Sequence, residues 1–192
     1  MAPSDEALAA ALKAGHRYAF RALYERHKDR MLRLALRITG ERADAEDAVQ
    51  EAFLVIFEKA ERFDGRSSFA TWLYRITVNA SLQVRRRRGV AAPEGGVTPL
   101  ALPADPERAE ALRALDREVQ ALPLRQRMVF TLHLVEGFSL EETAAVLGIA
   151  PGTARYHLFA ARNRLQERLA PYLPEGAAGA RKGTERSVEE GS

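Results

Sequence analysis

No cysteine occurs among the 192 residues, which excludes disulfides, thiolate-bound zinc and thiol nucleophiles. The four histidines, at positions 16, 27, 133 and 157, are scattered, with no spacing that would let them share a metal. No stretch approaches the ~18 consecutive apolar residues a membrane-crossing helix needs, and the N-terminus carries Asp5 and Glu6 before only a short Ala/Leu run. No run alternates apolar with polar residues, so no strand is expected. These absences predict a cytoplasmic chain without membrane insertion, cofactor or metal.

What is present suits a soluble globular chain of one large or two small domains: 46% of residues are hydrophobic and 29% charged. The net charge of +3 is unevenly spread, at +5 over residues 1–90, −2 over 91–106, +1 over 107–174 and −1 over 175–192. Much of the N-terminal excess is the run Arg85, Arg86, Arg87 and Arg88, which serves equally as a solvated helix end or a polyanion contact.

Apolar residues recur at helical steps in Phe20, Leu23, Tyr24, His27, Met31, Leu34 and Ile38, in Val49, Ala52, Phe53 and Ile56, and in Phe69, Trp72, Leu73, Ile76 and Ala80. Three amphipathic helices follow, preceded by a short one from Ser4 to Gly15. Gly40 ends the second helix, Asp44 is the expected N-cap of the third, and Phe63-Asp64-Gly65 with Ser67 separates third from fourth. Between Gly89 and Pro106 the sequence turns to Gly, Pro, Ala and Val, a linker composition. A second helical block spans about 107–173, and the Gly/Ala/charge-rich residues 174–192 form an expected disordered tail. The expectation is all-α: two small helical domains, 1–90 and 107–173, joined by a flexible linker at 91–106.

Ser139 and Glu142 have capping-box spacing, Leu140, Ala144 and Leu147 point inward, Gly148 allows a tight turn, and Pro151-Gly152-Thr153 opens a helix through Leu165. This is a helix-turn-helix pattern, with Ala144 and Ala145 expected where the helices cross. Its second helix would bring Thr153, Arg155, Tyr156, His157 and Phe159 near base edges, with Arg155 and Arg162 as guanine or phosphate contacts. A plain helical hairpin with a solvated basic face is the structural alternative.

In the third helix Asp47, Glu51, Leu54 and Glu58 form an outward acidic stripe around one leucine, either simply solvated or suited to a basic partner helix. In the fourth, Thr71, Arg75, Asn79 and Arg86 lie opposite the apolar face, after a loop carrying Arg62, Phe63, Asp64 and Arg66. Aromatics, an amide and cations on one surface suit unstacked bases, although Phe69 and Trp72 equally suit a core.

Residues 44–54, Arg62-Phe-Asp-Gly and Phe69-Ala-Thr-Trp-Leu-Tyr-Arg-Ile-Thr-Val-Asn79 together resemble region 2 of bacterial sigma factors of the sigma-70 family. Residues 122–130 followed by Gly137-Phe-Ser-Leu-Glu-Glu-Thr-Ala-Ala-Val-Leu-Gly148 resemble region 4. With a short linker between them, the chain resembles the extracytoplasmic-function group. That resemblance implies an initiation factor, not an enzyme, whose partners are core RNA polymerase, duplex and single-stranded promoter DNA, and an anti-sigma factor. It implies that Asp44, Asp47, Gln50, Glu51 and Leu54 dock on a coiled coil of the β′ subunit. It also implies that Arg62, Phe63, Asp64, Trp72, Tyr74, Arg75, Asn79 and Arg86 handle the minus-10 element and capture its flipped bases. Region 4 would read the minus-35 duplex through Thr153, Arg155, Tyr156, His157, Phe159 and Arg162 and touch the β flap, while the linker threads the polymerase channel.

The recognition helix departs from the family in having Ala150 where a Ser cap is common, and Tyr156, His157 and Ala160 where small polar or basic residues are common. Losing such a cap costs about 1 kcal/mol, partly recovered by Pro151 at the first helical position. Two other readings remain: a stand-alone helix-turn-helix repressor or activator, which leaves the first domain's stripe and loop without a task, and an enzyme using Asp44, Glu46, Asp47 and Glu51 as metal ligands.

Overall fold

A computed structural model describes residues 2–89 and 105–172; the expected linker, except its last two residues, and the expected tail lie outside them. Only helices and turns occur among the described residues. Helix α1 (Asp5–Lys13) starts where Ser4 Oγ accepts the Ala7 amide at 3.2 Å, with Asp5 and Glu6 in the first turn to complement the helix dipole. Helix α2 (Arg17–Thr39) ends at Gly40, whose φ of 85° gives the left-handed cap that residues with a Cβ resist. Helix α3 (Arg42–Lys59) runs into a 3₁₀ turn, Ala60–Arg62, and α4 (Phe69–Arg88) begins at Ser68, which caps the Thr71 amide at 3.1 Å.

The expected N-cap at Asp44 is corrected: α3 starts at Arg42, and Asp44 sits in its first turn, buried, in an ion pair 2.7 Å from Arg88 of α4. The expected periodic residues do meet. Leu23, Met31, Leu34 and Ile38 of α2, Ala52, Phe53 and Ile56 of α3, and Leu73 of α4 form one buried core, closed at one side by Leu8 and Leu12 of α1.

The second block comprises α5 (Pro106–Gln120), α6 (Leu124–Phe130) continued by a π-helical turn Thr131–Val135, α7 (Leu140–Leu147), α8 (Pro151–Leu169) and a 3₁₀ turn Ala170–Tyr172. Both halves of the α7 capping box form: Glu142 N donates to Ser139 Oγ at 3.1 Å and Ser139 N to Glu142 Oε2 at 2.9 Å. Gly148 turns the chain at φ 63°, and α8 starts at Pro151 behind Ala150, which makes no side-chain cap bond. Helix α8 runs one turn beyond the expected Leu165. Ala144 is buried between helices as expected, but Ala145 is exposed and takes no part in the crossing.

Val119 and Leu122 pack on Ala161 and Leu165 to form a small core of this block. Its other apolar face is not left to water: Met128, Val129, Leu132, Val146, Leu147 and Leu158 join the same buried cluster as α2 and α4. Helix α7 lies on α4 and α6 on α2.

Candidate nucleic-acid and polymerase interfaces

The loop before α4 is held at both ends. Lys13 Nζ donates to the Phe63 carbonyl at 2.8 Å, and the Phe63 ring packs on Phe69 (5.3 Å between centroids) and Trp72 (5.6 Å). Between these anchors Asp64 Oδ1 accepts the Arg66 amide at 3.1 Å, an Asx turn that leaves the Arg62 and Arg66 side chains exposed. On α4, Arg75, Asn79, Gln83 and Arg86, spaced by four, four and three residues, form one exposed polar stripe beside the loop.

Three residues expected to meet bases do not present themselves. Phe63 and Trp72 are each 8% exposed, their faces spent on one another and on Phe69, and Tyr74 is 2% exposed. Apolar rings at helical spacing are drawn into the core by the area they remove from water. Gln83 joins this stripe without having been singled out from the sequence, although it has the same helical spacing as Arg75 and Asn79.

On α3, Asp47, Leu54 and Glu58 of the expected stripe are exposed, Leu54 at 60%, and Gln50 is exposed beside them, whereas Glu51 is not fully outward. Phe57, three residues after Leu54, adds a second exposed apolar side chain, braced edge-on by Phe20 of α2 at 5.2 Å. Two of the expected docking carboxylates are otherwise engaged: Glu51 is half-buried and pairs with Arg87, and Asp44 is buried against Arg88. The arginine run is therefore partly a clamp between α4 and α3. Glu46 is bound by Arg42 at 2.8 Å, and no group of three His, Asp or Glu side chains able to hold a metal occurs among the described residues.

Helix α8 buries Ala154, Leu158, Ala161 and Leu165 and turns Thr153, Arg155, Tyr156, Phe159 and Arg162 outward, with His157 half-buried at the edge. Arg155 lies 3.7 Å from Glu141 of α7, an exposed pair of little energetic weight.

The two blocks are locked to each other at polar points. Tyr74 donates its hydroxyl to Glu136 Oε2 at 2.7 Å and stacks edge-on against Phe138 at 4.8 Å; Arg30 lies 3.9 Å from the same carboxylate. Burial, then the negative Glu136, push the Tyr74 phenol far above its ordinary 10. Arg37 of α2 meets Asp116 of α5 at 3.5 Å. Burial lowers the pKa of Arg37 and raises that of Asp116, the latter against the pull of Arg37. Arg127 is buried and donates to the Gln120 carbonyl at 2.8 Å and to its side-chain oxygen at 2.7 Å; burial, then Arg85 and Arg37, bring its pKa down to about 10.

Residues 23–90 match the family model for sigma-70 region 2, and residues 112–165 that for sigma-70 region 4. The chain is 38% identical over 174 residues to the ECF RNA polymerase sigma factor SigM of Mycobacterium tuberculosis, covering 90% of this chain and 88% of the relative. It is 30% identical over 185 residues to the ECF RNA polymerase sigma-E factor of Escherichia coli K12, covering 88% and 96%. Among solved structures it is similar to the sigma factor RpoE of Bartonella quintana in complex with the anti-sigma factor NepR (TM-score 0.67, 26% identity, 79% and 96% covered). It is also similar to CnrH in complex with the cytosolic domain of CnrY (TM-score 0.66, 25% identity, 87% and 97% covered).

Proposed function

The chain belongs to the sigma-70 family as an RNA polymerase sigma factor of extracytoplasmic-function type, a promoter-recognising initiation factor, and on that premise we propose how its own residues carry out initiation. Residues 1–90 act as region 2, 91–106 as linker, 107–173 as region 4 and 174–192 as tail. Leu54 and Phe57, rimmed by Asp47, Gln50 and Glu58, dock on the β′ coiled coil, an apolar centre with a carboxylate rim for a basic helix. Arg62, Asp64, Arg66, Arg75, Asn79 and Arg86 engage the opened minus-10 strand. Unstacking a base costs a few kcal/mol, which amide and arginine contacts to the freed base and its phosphates can offset without ATP. The outer face of α8 enters the minus-35 major groove, and region 4 touches the β flap.

The observation that carries the reading is the pairing, in one chain, of the exposed α4 stripe with a capped helix-turn-helix whose second helix points Arg155, Tyr156, Phe159 and Arg162 outward. A stand-alone repressor would use the second without the first. Sigma factors are generally not enzymes, and no step here calls for a catalytic group. No helix of the described residues is long and apolar enough to cross a membrane, in keeping with work beside polymerase in the cytoplasm. Run-off transcription with core polymerase on a genomic library tests the reading: discrete promoters that fire only with this chain are expected, and core-independent operator binding without transcription would overturn it.

The packed arrangement is the free state, and holoenzyme formation opens it. The elements lie about 25 base pairs apart, roughly 85 Å of B-DNA at 3.4 Å per pair. Two blocks sharing a core cannot cover both, whereas the 15 residues 90–104 reach about 50 Å when extended. Until then Tyr74 is covered by region 4. The likeness to the sigma factor RpoE of Bartonella quintana, solved with the anti-sigma factor NepR, supports an anti-sigma factor that holds this chain.

A further inference from the structure

We propose that Tyr156 and Phe159 form an aromatic ridge that reads thymine methyl groups, so that the minus-35 element of this chain is defined by thymines flanked by arginine contacts. The proposal rests on α8 being the helix that enters the major groove.

The packing of α8 is completed without either ring. Ala154, Leu158, Ala161 and Leu165 supply its buried line, while Tyr156 and Phe159 remain 66% and 65% exposed. The Tyr156 ring meets the His157 ring edge-on, at 5.6 Å between centroids. Two large apolar faces held in water side by side on one short surface are available for a partner to bury. In the major groove the apolar feature that distinguishes one base from the others is the C5-methyl of thymine. At i and i+3 the two residues share a face and are separated by about 4.5 Å along the helix, close to the 3.4 Å rise between base pairs. They can therefore address neighbouring thymines. Arg155 precedes the ridge by one residue and Arg162 follows it by three, so cations bracket it.

The test uses holoenzyme on a promoter identified by run-off transcription, with each minus-35 thymine replaced in turn by deoxyuridine, which removes the methyl group alone. A buried methyl is worth about 4-fold in affinity, so open-complex formation is expected to fall about 4-fold at one or two thymines. Tyr156→Ser should abolish the penalty at one of them and Phe159→Ala at the other, with thermal stability unchanged because both rings are exposed. A minus-35 element without thymine, no deoxyuridine penalty, or a penalty that survives both substitutions overturns the ridge. Indifference of transcription to scrambling the whole minus-35 element would instead show that α8 does not read DNA, and the proposed function of region 4 would fail with it.

Discussion

Tyr74 donates a hydrogen bond to Glu136, 62 residues further along the chain, at 2.7 Å, and this phenol–carboxylate contact joins the helix proposed to serve the minus-10 strand to the turn that leads into the helix-turn-helix. Glu136 has only 3% of its side chain exposed, so the pair is sealed by the blocks it connects. Tyr74 is covered for as long as this contact lasts.

Loss of the Tyr74 hydroxyl in Tyr74→Phe deprives a buried carboxylate of its hydrogen-bond donor, leaving it with Arg30 at 3.9 Å and the field of Arg37, at a cost of about 1–3 kcal/mol. The free protein should melt at lower temperature, and the distance between fluorophores on the two blocks should lengthen. The phenol's raised pKa sets the pH behaviour: its contribution is complete below the unfolded value of 10 and is lost as pH rises beyond it. Closure should therefore weaken in alkali in the parent chain and show less of this dependence in Tyr74→Phe. An unchanged separation between the blocks in the variant would show that the apolar contacts alone hold them.

Core docking should fail in Leu54→Arg combined with Asp47→Arg, because both side chains are exposed and one is the apolar centre of the stripe. Co-purification with core polymerase measures it, and far-ultraviolet circular dichroism should be unchanged. Glu51 is a poor choice for this experiment, since its substitution also releases Arg87.

Asn79→Ala and Phe63→Ala should separate function from folding. Asn79 is exposed, so its loss should lower promoter melting in permanganate footprints with stability within about 0.5 kcal/mol of the parent. Phe63 is buried among Phe69 and Trp72, so its truncation should cost about 3 kcal/mol or more in denaturant unfolding, whatever happens at the promoter.

In region 4, Arg155→Ala should cost about 1–3 kcal/mol at one or two base pairs of the minus-35 element, as a side chain near the start of the helix can reach base edges. Arg162→Ala, two turns on, should weaken all sequences alike and reduce the salt slope by about one unit. Holoenzyme competition assays over a salt series measure both, and an equal loss on every sequence for Arg155→Ala would make it a phosphate contact.

Much was legible from local chemistry. The Ser139–Glu142 box, the left-handed Gly40 and Gly148 and the Pro151 start act within a turn of their own position, so spacing alone located α2, α7 and α8 to within a few residues. The outward stripe of α3 followed from helical periodicity for the same reason. Asp44 escaped this logic because its partner, Arg88, lies at the far end of another helix, and an isolated Asp before an apolar run carries the signature of a cap.

The sequence by itself determined the helices, their order and which residue types could meet nucleic acid; the tertiary structure decided which of those residues can. Phe63, Trp72 and Tyr74 have the composition and spacing of a base pocket and of a core alike. Only the packing of Phe69 against the first two, and of Glu136 and Phe138 against the third, removes them from the surface. Burial is a property of what arrives from elsewhere in the chain, and for Tyr74 that neighbour is 62 residues away.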